Sequence, residues 1–158
     1  MPTSMSLDRR LFLTICTGVA AAPLHAALAG DLPTIQVFKS PTCGCCSMWI
    51  DHLTENGFKV EAEDVADLDA VKQMAGVPGH LRACHTAVID GYTIEGHIPG
   101  SAIKKLLAER PAIQGLAVPG MPAGSPGMPS PAPEPYDVIA FGKAGDQQFM
   151  SFIETDPR

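Results

Sequence analysis

The sequence predicts an α/β domain: a small mixed sheet flanked by helices, with a Pro/Gly-rich loop and a C-terminal β-hairpin. Three observations carry that expectation. Strand-like and helix-like stretches alternate between residues 35 and 110, a cysteine-rich turn joins the first strand to the first helix, and Pro/Gly-dense chain separates this body from a last pair of strand-like runs.

Ile35-Gln36-Val37-Phe38-Lys39 is a short β-branched and aromatic run that stops at Ser40-Pro41, which reads as a strand and a turn. Met48, Trp49 and Leu53 fit one face of a helix from Cys46 to Asn56, with Gly57 as its stop. From Phe58 to Val65, apolar Phe58, Val60 and Ala62 alternate with charged residues, as in a strand with one buried face. Asp67-Leu68-Asp69 opens a second helix, with Leu68, Val71, Met74 and Ala75 on one side and Gly76 closing it. Thr86 to Asp90, the turn Gly91-Tyr92 and Thr93 to Ile98 form a hairpin. Pro99-Gly100-Ser101 then starts a helix that ends near Arg110-Pro111. The order β-α-β-α-β-β-α is the thioredoxin-like arrangement, and cysteines at the first strand–helix junction favour it over an unrelated domain of the same order.

Residues 111–135 are dense in proline and glycine, and no helix or sheet is expected there. Within them Pro119-Gly120-Met121-Pro122 recurs as Pro126-Gly127-Met128-Pro129, which puts Met121 and Met128 in one loop. Residues 136–158 read as a closing hairpin packed on the same domain, turning around Gly142 to Asp146.

The first 29 residues read as an address: basic Arg9-Arg10, an apolar run from Leu11 to Leu24, and Ala27-Leu28-Ala29 as a cleavage site. The apolar run is too short to span a membrane, so no stable anchor is expected after cleavage. Arg9-Arg10-Leu11-Phe12-Leu13 also resembles a twin-arginine signal, and an ordinary Sec signal with two arginines reads the same way. Cys16 leaves with the signal. The leader carries two arginines and one aspartate, so of the chain's net charge of −6 the remaining 129 residues hold −7. Such an acidic chain argues against nucleic acid and anionic membrane surfaces as partners.

Four cysteines remain after the leader, and an even number in an exported chain ordinarily means disulfides. Here Cys43, Cys45 and Cys46 fall within four residues, which a framework stapling a fold would not do. Cys43 and Cys46 have the C-x-x-C spacing of dithiol enzymes, whereas Cys43 and Cys45 form a C-x-C chelate for a soft ion. A helix start lowers thiol pKa values and supplies thiolate for either chemistry. Three crowded thiolates repel one another without a cation, and soft thiolates select copper(I), zinc or iron–sulfur clusters. A disulfide closing the turn is the structural alternative.

Cys84-His85-Thr86 enters the third strand, where redox thioredoxin-like proteins carry a cis-proline; Pro78 comes several residues too early. Cys84 adds a fourth sulfur, or serves as a small buried hydrophobe. His85 alternates in direction with Cys84 if both are extended, which turns it away from the cluster. His97, before the last helix, is a further ligand candidate, with His52 and His80 ranked behind it. Met48 and Met74 are read as core. Met121 and Met128 offer thioether sulfur to copper(I), or simply anchor their loop.

Taken together, four separated motifs resemble the periplasmic copper-resistance protein CopG family, not the DNA-binding repressor of the same name. They are Val37 through Cys46, Cys84-His85-Thr86-Ala87-Val88-Ile89-Asp90-Gly91-Tyr92, Glu95-Gly96-His97-Ile98-Pro99, and Met121 through Met128, spanning about residues 35–129. The resemblance implies a thioredoxin-like fold, a cysteine-bridged copper cluster and genes encoded beside copper-export systems. The ligands it implies are Cys43, Cys45, Cys46 and Cys84, then His85, His97, Met121 and Met128. The expectation is a periplasmic copper(I)-binding resistance protein that holds more than one ion and works with efflux or copper-carrier proteins. The competing expectation is a thiol–disulfide oxidoreductase using Cys43 and Cys46.

Overall fold

A computed structural model describes residues 31–158. The expected export signal and Cys16 lie outside the described residues. The described chain is mixed α/β, with one eight-stranded sheet and three α-helices. Its elements run β1 (Ile35–Lys39), α1 (Gly44–Glu55), β2 (Val60–Asp64), α2 (Leu68–Met74), β3 (Thr86–Ile89), β4 (Tyr92–Glu95), α3 (Gly100–Glu109), β5 (Gly115–Ala117), β6 (Pro135–Phe141), β7 (Gln147–Ile153) and β8 (Asp156–Pro157). Among the described residues no helix is long and apolar enough to cross a membrane.

The sheet order is β2-β1-β3-β4-β5-β6-β7-β8, with β1/β2 and β4/β5 parallel and the other pairs antiparallel. Side chains alternate across the strands, so Ala87 and its register partner Ile94 face one side while Thr86 and Glu95 face the other. The first side carries the main core, where Trp49, Leu53, Ile103 and Leu106 of α1 and α3 pack on Ile35, Val37, Ala87, Ile89 and Ile94. Trp49 is locked there by its indole N–H, which donates to Ile98 O at 2.9 Å. The other side is covered by α2 and a 3-10 turn at Gly79–Leu81, with a smaller cluster of Leu81, Ala117 and Phe141.

Several expectations change. The sheet is larger than expected because Gly115–Ala117, inside the stretch expected as loop, pairs with both β4 and β6. The prolines of that stretch crowd in only from Pro119 onward, so Gly115-Leu116-Ala117-Val118 is an ordinary apolar strand segment with all four residues buried. The expected buried face of β2 is lost after Phe58: Val60 is half-buried and Ala62 exposed, since β2 is the sheet's outermost strand. Met48 and Met74 are exposed rather than core, at 44% and 81%. In α1 the inward positions go to Cys46, Trp49 and Leu53, and in α2 the one fully buried side chain is Lys72.

Candidate metal centre

The cysteine cluster is set by how β1 turns into α1. After Lys39 the chain folds back at Pro41, and Cys43 N–H donates to Ser40 O at 3.1 Å. Cys43 caps the helix through its backbone, so Gly44, Cys45 and Cys46 occupy the first turn. Residues three apart on a helix are neighbours, and Cys43 and Cys46 are joined by a disulfide. Cys46 faces the core, whereas Cys45 and Cys84 are free thiols, each half-buried.

Cys84 supplies the facing wall. Its Sγ lies 3.9 Å from Cys45 Sγ and 3.8 Å from Cys46 Sγ, while Cys45 Sγ lies 3.5 Å from Cys43 Sγ. His97 Nε2 is 3.0 Å and His85 Nδ1 3.2 Å from the same Cys84 sulfur. Two ligand groups therefore share Cys84: the four sulfurs, and Cys84 with His85 and His97, each with its donor atoms within 4.8 Å of one another.

His85 faces the cluster, and the strand alternation that would have turned it away does not operate. Strand β3 begins only at Thr86, so Cys84 and His85 precede the pleat and do not obey its alternation. The His85 ring packs on Trp49 with centroids 4.2 Å apart and stacks on His97 at 5.4 Å. Its Nε2 is buried with no hydrogen-bond partner among the described residues. Nδ1 faces the Cys84 thiol and Nε2 is left unpaired, so the ring can offer a nitrogen to a cation.

The proline-rich loop forms the third side. Met121 is half exposed, with its Sδ 4.0 Å from Cys45 Sγ. Ser125, fully buried, brings its Oγ to 3.5 Å from His97 Nδ1. Gly127 presses on the start of α1: a Cβ there would stand 2.6 Å from Cys45 O, and its φ of +88° is one that L-residues rarely adopt. Met128 acts through its backbone, accepting from Gly124 N–H and donating to Ser125 O. The other two histidines among the described residues lie elsewhere. His52 accepts from Gly100 N–H at 3.0 Å, and exposed His80 pairs with Asp146.

The electrostatics suit a soft cation. Burial first, then the neighbouring Cys45, pushes the Cys84 thiol up to about 12. Burial lowers His85 to about 3, helped by His97 and Lys72, and lowers His97 to about 4. Both imidazoles are thus neutral, the form that ligates metals, while Cys84 needs a nearby positive charge to ionise.

Residues 81–128, which include Cys84, both site histidines and the methionine loop, match a family model described as protein of unknown function, DUF411. No curated protein matches. Two solved structures named "Copper resistance protein copG", forms 2 and 1, are each 44% identical to this chain and cover 77% of it. The chain in turn covers 99% and 98% of theirs, with TM-scores of 0.73 and 0.72. The chain belongs to the CopG copper-resistance family. For a CopG protein, a cysteine-rich group able to hold metal is a fitting centre, and copper is the metal to which both the family and the donor set point.

Sequence reasoning missed three groups that shape this site. Ser125 and Trp49 reach the histidines only through tertiary packing. The third is a buried ion pair: Lys72 Nζ lies 2.6 Å from Glu95 Oε1, behind Cys84-His85. A signal for it did exist, because Lys72 follows Leu68 by four residues and so shares its face of α2.

Proposed function

We propose that this chain is a periplasmic copper(I)-binding protein of copper resistance, with a multinuclear thiolate site. Cys43, Cys45, Cys46 and Cys84 are its principal ligands, His85, His97 and Met121 border it, and Met128 belongs to the loop that carries Met121. The observation that carries this reading is Cys84 Sγ, which sits within 3.9 Å of two sulfurs of the cluster and 3.0 Å from an imidazole nitrogen. A dithiol enzyme uses two sulfurs. Once reduced, four converging sulfurs supply more thiolate than a two-cysteine redox step uses, and bound cations relieve their mutual repulsion. A thioredoxin-like fold is part of the proposal, supported by the order β2-β1-β3-β4 with a parallel β1/β2 pair.

With Cys43 and Cys46 joined, two of the sulfurs are tied up. Opening the bond takes two electrons and two protons from a dithiol donor, which leaves as its disulfide. Each thiol then releases its proton as it binds copper(I). Efflux or copper-carrier proteins are the partners this role calls for.

The test is metal analysis of protein from copper-supplemented cells, beside Cys45→Ser and Cys84→Ser. More than one copper per chain, lost in both variants, is the expected result. At most one copper, unchanged in both, would sink the reading.

The same disulfide favours a second reading, a thiol–disulfide oxidoreductase working through Cys43 and Cys46. In that case metal-free protein should reduce insulin disulfides with a dithiol donor, and the Cys84→Ser variant should remain active. A flat trace from fully reduced protein removes it.

A further inference from the structure

The facing wall of the site, Cys84-His85, belongs to neither a helix nor a strand, so something other than a hydrogen-bonded ladder must hold it. One buried carboxylate does so from both ends. Glu95 Oε1 accepts from Ala83 N–H at 2.6 Å, just before the pair, and Glu95 Oε2 accepts from the Thr86 hydroxyl at 2.7 Å, just after it. Lys72 completes the network, donating to Glu95 Oε1 at 2.6 Å and to Thr86 Oγ1 at 3.1 Å. All three side chains are buried. From the middle of the pair, His85 O accepts from Gly96 N–H at 3.1 Å, so the residue following Glu95 also grips the wall.

We propose that Glu95, with its charge balanced by Lys72, is the positioning residue that holds Cys84 and His85 at ligand distance from the cysteine cluster, an inference that rests on the copper reading above. A buried carboxylate is costly to desolvate, and docking α2 could be done by an apolar side chain. What an apolar residue cannot do is accept two hydrogen bonds at fixed separation on either side of a ligand dipeptide. Such outer partners ordinarily orient the ligands of a metal site and tune its affinity.

The experiment titrates reduced full-length protein with Cu(I) against a chromophoric Cu(I) chelator. It compares wild type with two paired variants, Lys72→Met with Glu95→Gln and Lys72→Met with Glu95→Ala. The glutamine pair is uncharged but keeps an acceptor for Ala83 N–H and a polar partner for Thr86, so it should bind close to wild type. The alanine pair lacks the clamp and should lose affinity by about 10- to 100-fold. A folded alanine pair that binds like wild type overturns the proposal, as does a glutamine pair that fails equally. Should the alanine pair not fold, isosteric Thr86→Val decides: it should lose about 10-fold, and wild-type binding overturns the clamp. If wild type itself takes no copper, the copper reading falls alone. The clamp is then read from Cys84 alkylation in metal-free reduced protein, which should speed up in the alanine pair or Thr86→Val and not in the glutamine pair. Equal rates in all of them overturn it.

Discussion

Cys84 Sγ and His97 Nε2 stand 3.0 Å apart, joining a residue two before β3 to a residue two after β4 across the mouth of the hairpin. This contact ties the histidine pair to the four sulfurs, since Cys84 belongs to both groups. His97→Ala removes one of the two imidazole partners of the Cys84 thiol and leaves a cavity beside the His85 ring. Denaturant unfolding should show a loss of about 2 kcal/mol. Unchanged stability would mean that the contact contributes nothing to the fold.

Gly127 admits the methionine loop to the start of α1. Gly127→Ala places a methyl 2.6 Å from Cys45 O and 3.0 Å from Trp49 N, at a φ of +88°. Both atoms belong to helix backbone, so the loop must yield. A loss of about 1–3 kcal/mol is expected in urea unfolding, with Met121 drawn off Cys45. An alanine variant with the wild-type midpoint would contradict this packing.

Alkylation and peptide mapping without reductant should label Cys45 and Cys84 and recover Cys43 and Cys46 as a linked pair. The bond closes only a one-turn loop, with three residues of sequence separation. Reduction should therefore lower stability by no more than about 2 kcal/mol, the chain-entropy value for so short a loop. A linked pair containing Cys45 or Cys84 would refute the assignment.

Tyr136 sets an alkaline limit. Burial raises its pKa, and its hydroxyl donates to Glu154 O. A phenol raised in the folded state contributes stability that is fully present below the unfolded value of about 10 and is lost as pH climbs past it. Tyr136→Phe should cost about 1 kcal/mol at neutral pH and flatten the loss above about pH 10. An unaltered alkaline slope would show that Tyr136 is not its source.

What could be read from the sequence follows the range of the interactions involved. The turn carrying Cys43, Cys45 and Cys46 is local: a β-branched run, Ser40-Pro41 and an amphipathic repeat specify it within about twenty residues. Cys84 was reachable one step further, through the element order that sets the start of the third strand against the first helix. The direction of His85 was not, because it depends on β3 starting at Thr86, a boundary that periodicity leaves open by a residue or two. Ser125 and the pairing of Glu95 with Lys72 were harder to reach for a different reason, although the Leu68 face of α2 already placed Lys72 inward. Their roles arise from contacts 14 to 28 residues apart in the chain, between segments whose own patterns mark only a loop, a strand and a helix. Met48 misled because a methionine beside Trp49 reads as core, while the helix turns Cys46, Trp49 and Leu53 inward instead.

The central claim is that four cysteines close on copper together, and mass-spectrometric alkylation of reduced protein with and without Cu(I) tests it most directly. Metal-free protein should take up label at Cys43, Cys45, Cys46 and Cys84, and Cu(I) should protect all four in parallel. Protection confined to Cys43 and Cys46, with Cys45 and Cys84 labelled at the metal-free rate, would contradict the account.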